Sequence, residues 1–212
     1  MCYTKTASGR CMRASAGCRN LFYQNHCRIP CGIHSVFSNT FIFDAENDGK
    51  EGYLYSLVTT SIIQGIKSIP VYVEADVSDG MPLFEMVGSL SPEVKESKER
   101  VRTALKNTGY ILPPKRITIN FIPANIRKTG SGFDLPVVAA VLCAIGIVPE
   151  EALKDTMVVG EISLSGDVKP VNGILPMVAE AKERGVTRCI VPVENQTEAL
   201  LVKEIEIFAV QS

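Results

Sequence analysis

The sequence predicts an α+β or α/β two-layer domain over residues 53–212, a mixed β-sheet covered by helices. Three observations predict it. Runs rich in β-branched and aromatic residues, separated by short turns, fill residues 53–87. Strand-length and helix-length apolar runs alternate from residue 91 onward. Between them, Lys128–Pro136 (KTGSGFDLP) joins an alternating strand to an apolar run too long for a strand and rich in Ala and Leu, hence a buried helix.

Each element has its own signal. Tyr53–Ile62 reads as a strand, followed by a turn at Gln64–Lys67. Ile69–Val77 alternates, with Val71, Val73, Ala75 and Val77 on one face. Ser78-Asp79-Gly80 turns into Pro82–Val87, so the three strands read as an antiparallel meander. Ser91 and Pro92 start a helix that runs to about Asn107, with Gly109 behind it. Val94, Val101, Ala104 and Leu105 form its apolar stripe, and Glu96 and Arg100 make an i,i+4 pair on a face read as solvated. Lys115–Ile122 is the central strand. Gly130 and Gly132 then turn the chain, Asp134 reads as the N-cap, and Pro136 sits in the first helical turn, where a missing N–H costs nothing. Met157–Leu164 reads as one strand with a hairpin at Ser165–Asp167 into Val168–Val171. Asn172 is the expected cap of a helix to Lys182, closed by Gly185. Arg188–Val193 reads as a short apolar strand and is expected to be central in its sheet. A helix over Glu194–Val202 and a strand over Glu204–Val210 complete the chain.

Residues 1–43 hold five bases and no acid, and five of the seven cysteines lie in the first 31 residues. Residues 1–52 read as a weakly ordered leader ending in a polar linker. Its His26-Cys27-x3-Cys31-x2-His34 pattern fits no common zinc-finger spacing, and no metal ligands are assigned. Residues 53–212 hold sixteen bases and nineteen acids, a net of −3, which argues against a protein that coats nucleic acid but allows a local basic loop. Cys143 and Cys189 sit in apolar runs as buried thiols. No run approaches the ~18 apolar residues of a membrane span, and without a secretory signal the expected compartment is the cytoplasm.

Much chemistry is excluded. There is no G-x4-G-K-[ST] loop, no G-x-G-x-x-G after a strand and no H-E-x-x-H. Both histidines lie in the leader, so the body holds no Ser-His-Asp or Cys-His device. A Ser–Lys dyad stays open, with Ser131 the obvious serine. Arg127 and Lys128, beside the glycine turn, form a basic pair that with the Gly130 backbone is a candidate phosphate or DNA contact.

The motifs KESKERVR, RITINFIPA, KTGSGFDLP and GEISLSGDVKPVNG follow one another in an order that resembles the N-terminal domain of the magnesium-chelatase-like AAA+ ATPases of the ComM/YifB family. The resemblance covers essentially all of residues 53–212. It implies a fold like the Lon protease domain, within the ribosomal-protein-domain-2-like superfold that includes GHMP kinases. It also implies an AAA+ ATPase domain after residue 212, where ATP and Mg would bind, so the chain is expected to be a fragment or a truncated gene. The whole is expected to be a hexameric DNA-processing motor in recombination and natural transformation (competence). Its expected partners are its own ATPase domain, further copies of itself and, as a candidate, DNA. Chelatase activity is implied by the family's name only.

The Lon-type turn reads Gly-Pro-Ser-Ala-Gly, with the serine as nucleophile. Matching Lys128 and Gly130 to it puts Ser131 at the proline and Gly132 at the nucleophile. Asn172-Gly173-Ile174 matches the Gly-Gly-Leu before the Lon lysine, which puts Leu175 in the lysine's place. The resemblance therefore implies a degenerate site and a non-catalytic module that serves ring assembly or DNA guidance. The competing reading, a serine peptidase on a Lon-like scaffold, lacks both catalytic groups.

Overall fold

The computed structural model describes residues 55–212. The leader and its His/Cys pattern lie outside the described residues. Strands β1 (Tyr55–Gln64), β2 (Lys67–Ser78) and β3 (Leu83–Val87) precede helix α1 (Pro92–Asn107) and strand β4 (Arg116–Ile122). Helix α2 (Asp134–Ala144), a single turn α3 (Glu150–Leu153) and the short strands β5 (Thr156–Val158), β6 (Glu161–Ile162) and β7 (Val168–Lys169) follow. The chain ends with α4 (Ile174–Glu183), β8 (Arg188–Pro192), a 3-10 turn into the short α5 (Gln196–Ala199), and β9 (Glu206–Val210).

Seven strands form one mixed sheet in the order β3-β4-β2-β1-β5-β8-β9, with β6 and β7 as a separate hairpin. β2 alone runs against the other six. The mixed sheet covered by helices is the expected α/β architecture. The predicted meander is not formed. β4 takes the place beside β2, and β3 pairs with β4 in parallel at the sheet edge. The reason lies in apolar content: β4 buries Ile117, Ile119 and Phe121, whereas β3 fully buries only Phe84. The richer strand goes inside and the poorer one becomes an edge. β4, expected to be the central strand, lies one strand in from the edge, and β1 holds the middle of the sheet. β8, expected to be central, lies between β5 and the edge strand β9, one strand in from the edge.

The main core lies between one sheet face and helices α1 and α2. Val71, Val73, Ala75 and Val77 point into it from β2, as their alternation predicts. All eleven residues of α2 are buried, so it is covered all round. A smaller cluster on the opposite face packs α4, through Met177, Val178 and Ala181, against Met157 of β5 and Cys189 and Val191 of β8. Asn172 does not cap α4. Gly173 holds the N-cap at φ +81°, pressed so closely on Ile63 that a Cβ there would lie 2.7 Å from its Cγ1. The helix expected over Glu194–Val202 shortens to a 3-10 turn and one α turn.

Candidate functional site

The glycine turn is fastened at both ends. At its start, Lys128 N–H donates to the Ser89 carbonyl (2.8 Å) and the Lys128 carbonyl accepts from Ser91 N–H (2.9 Å), stitching the turn to the segment that enters α1. Gly130 adopts φ +86°, a left-handed conformation that a side chain disfavours. At its end, Gly160 N–H donates to the Gly132 carbonyl (3.1 Å), while Leu135 N–H donates to the Gly160 carbonyl (3.0 Å). This exchange breaks the strand expected over Met157–Leu164 into β5 and β6, because Gly160 turns from the sheet to pair with the glycine turn. A Cβ at Gly160 would sit 3.1 Å from both Leu135 Cδ2 and Val168 Cγ1, so the approach depends on glycine.

Asp134 is not an N-cap. Phe133 holds that position without a side-chain cap bond, and Asp134 is the first residue of α2. Its carboxylate is fully buried and accepts from Arg100 Nε at 2.8 Å, Arg100 Nη2 at 3.1 Å and the Ile162 N–H at 3.3 Å. The pairing keeps Arg100 more firmly protonated than an ordinary arginine, chiefly through its hydrogen bond to Asp134. Arg100 therefore turns away from Glu96 to reach across from α1, and this part of the helix face is not solvated. Ser131 Oγ donates to the Glu161 carboxylate. Residues from KESKERVR (Arg100), KTGSGFDLP (Ser131, Asp134) and GEISLSGDVKPVNG (Glu161, Ile162) thus meet at one place.

Lys128 corrects the basic-pair reading. Its side chain is fully buried, and its ammonium donates to the carbonyls of Phe121 (3.3 Å) and Pro123, at the end of β4. Burial lowers its pKa. Held inward, the ammonium cannot meet a phosphate at the surface; it closes the loop between β4 and the turn. Arg127 and Gly130 remain exposed.

Gly132 lies where a Cβ would touch Val159 Cγ2 at 3.4 Å and Val171 Cγ1 at 3.5 Å, so the turn packs on the segment leading to α4. Asn195 holds that segment by accepting from Val171 N–H and donating to the Val171 carbonyl, both at 2.9 Å. Leu175 is 37% exposed in the first turn of α4, and its N–H donates to Glu198 Oε1 at 2.9 Å. Among the described residues, no lysine is hydrogen-bonded to Ser131 and no group of His, Cys, Asp and Glu is arranged to hold a metal. Pro136 occupies the first turn of α2, as expected. Sequence reasoning missed Arg100, Glu161 and Asn195. Only the clustering of the first two within resemblance motifs signalled them.

The family model for subunit ChlI of Mg-chelatase matches residues 73–195. Over 147 residues the chain is 37% identical to YifB of Escherichia coli, covering 69% of this chain and 29% of that protein. It is 33% identical to competence protein ComM of Haemophilus influenzae over 157 residues, covering 74% of this chain and 31% of ComM. A further similarity, 35% over 140 residues, covers 63% of this chain and 25% of Lon protease 2 of Bacillus subtilis, which supports the Lon-like fold. The chain spans about three-tenths of the length of its YifB and ComM relatives. With the family model covering more than half its length, the chain belongs to the Mg-chelatase ChlI-like family that includes YifB and ComM.

Proposed function

We propose that this chain is the non-catalytic Lon-like module of a ComM/YifB-type AAA+ ATPase, a hexameric DNA-processing motor in recombination and competence, and that it serves ring assembly or DNA guidance. The observation that carries this reading is the state of the turn. The positions matched to the Lon nucleophile and lysine hold Gly132 and Leu175, and the adjacent Ser131 hydroxyl is given to a carboxylate instead of a lysine. In a Ser–Lys dyad the lysine amine takes the serine's proton, and a leucine offers none. ATP and Mg do not fit residues of this chain, which has no P-loop and, among the described residues, no metal-holding cluster. No nucleotide chemistry is assigned to it; that belongs to the ATPase domain of the longer protein.

A serine-reactive fluorophosphonate tests the reading. Intact-mass analysis of the chain should show no adduct at Ser131. Stoichiometric labelling that disappears in Ser131→Ala would favour the peptidase reading. For the DNA role, Arg127 is the remaining exposed base of the candidate contact, supported by the exposed Gly130 backbone beside it. In the longer protein, Arg127→Ala should weaken DNA binding and lower the salt slope by about one. Unchanged binding would remove Arg127 from that role.

A further inference from the structure

We propose that the uncovered part of the sheet's second face is a docking site for a basic amphipathic helix of a partner polypeptide. The first face is identified by Ser56, whose Oγ donates to the Ala140 carbonyl of α2 at 2.7 Å. The alternate residues of β1 point the other way, and α4 covers the end of that second face around Ile63, against which Gly173 is pressed, together with the adjoining end of β2. Among the described residues, no helix covers the opposite end, across β1, β2, β4 and β3. Tyr55, Leu57, Leu83 and Val87 are there 48%, 40%, 43% and 47% exposed. Exposed apolar side chains of β1 and β3 here flank the polar face of β2 and β4, giving apolar margins of the kind proteins cover with a partner.

The charge on this face selects the partner. It carries Glu74, Asp76 and Glu85 against a single base, Arg116, and that base is already paired with Glu85 at 2.7 Å. Glu74 accepts from the Tyr55 hydroxyl (2.7 Å) and Asn120 Nδ2 (2.8 Å), both neutral donors. Among the described residues Asp76 has no cationic partner within ion-pair distance. Among the described residues these two carboxylates have no cation, beside aliphatic and aromatic side chains. Phosphate is repelled, so this is not a nucleic-acid face, and a second copy would present the same negative charge.

The molecule supplies the pattern for what belongs here. α4 covers the neighbouring end of this face with Met177, Val178 and Ala181 turned inward, while its Lys182 and Arg184 are paired with Glu204 and Glu180. A helix laid beside α4, with a similar apolar stripe and with free basic residues for Glu74 and Asp76, would continue that layer over the open strands.

The test uses the full chain and a fluorescent synthetic helix of about 18 residues, roughly 27 Å long, with Leu at i, i+3, i+4 and i+7 and Lys elsewhere. Its counterpart carries Glu in place of Lys, and a single-stranded DNA oligomer is the third probe. Fluorescence anisotropy should show the basic helix binding at least about tenfold more tightly than the acidic one. Asp76→Lys and Leu57→Asp should each weaken it about fivefold or more, and thermal melts should show both variants folded. Equal affinity for the two helices, binding unchanged in both variants, no binding of either peptide, or DNA binding lost in Leu57→Asp would each overturn the proposal.

Discussion

Arg100 and Asp134 lie 34 residues apart in sequence, and neither announces the other. Helical spacing pairs Arg100 with Glu96, and position alone makes Asp134 an N-cap. Burial decides otherwise, because a carboxylate with no exposure must find charge-assisted partners, and the guanidinium from α1 supplies two. Arg100→Met should cost about 3 kcal/mol, because it leaves Asp134 buried and unpaired, whereas the double variant with Asp134→Leu should recover part of the loss. Urea denaturation of the three variants checks this. Lys128 was readable only as a loop cation, since nothing local shows that its stem runs inward to two carbonyls. Lys128→Ala should cost about 1–3 kcal/mol by stripping donors from the Phe121 and Pro123 carbonyls, again read by urea denaturation. If Lys128→Ala leaves stability unchanged and selectively weakens DNA binding by the longer protein, Lys128 returns to the surface role expected from sequence.

At the level of elements, most strands and helices were legible because their apolar periods are clean. α1 ends at Asn107 with Gly109 in a left-handed conformation, and β2 alternates, both as predicted. The failures fall where a long-range backbone contact overrides local pattern. The run Met157–Leu164 has the composition of a single strand, yet Gly160 gives its N–H and carbonyl to the glycine turn. Gly160→Val should therefore destabilise the domain by about 1–3 kcal/mol through overpacking against Leu135 and Val168, measured as a lowered thermal midpoint. The two buried thiols set a pH dependence on their elements, α2 and β8. Burial pushes Cys143 and Cys189 up to about 12 from 9.0. The unfolded chain releases these protons first, so their contribution to stability is complete below pH 9.0 and falls as pH rises toward about 12, approaching about 1.4 kcal/mol per pH unit for each thiol. Replacing both by Ala should flatten the decline between pH 9 and 10, followed by chemical denaturation at each pH; an equal decline in the variant would place its cause elsewhere.

For the whole molecule, the fold class was readable but the order of strands was not. Hydrophobic content places β4 inside β3, and that competition is settled only when α1 and α2 choose which strands to cover. Motif matching pointed to Gly132 and Leu175, while the contacts of Arg100, Glu161 and Asn195 needed three dimensions. Together they describe a turn held by ion pair, backbone exchange and buried lysine, with its serine bonded to an acid. Such a turn is a structural junction between α1, α2 and the β6–β7 hairpin. The most direct test of the proposed non-catalytic role is hydrolysis of a fluorogenic casein substrate by the longer protein that carries this domain, with ATP and Mg, beside its Ser131→Ala variant. Hydrolysis at the buffer rate in both is the expected result; ATP-dependent cleavage that Ser131→Ala abolishes would contradict it.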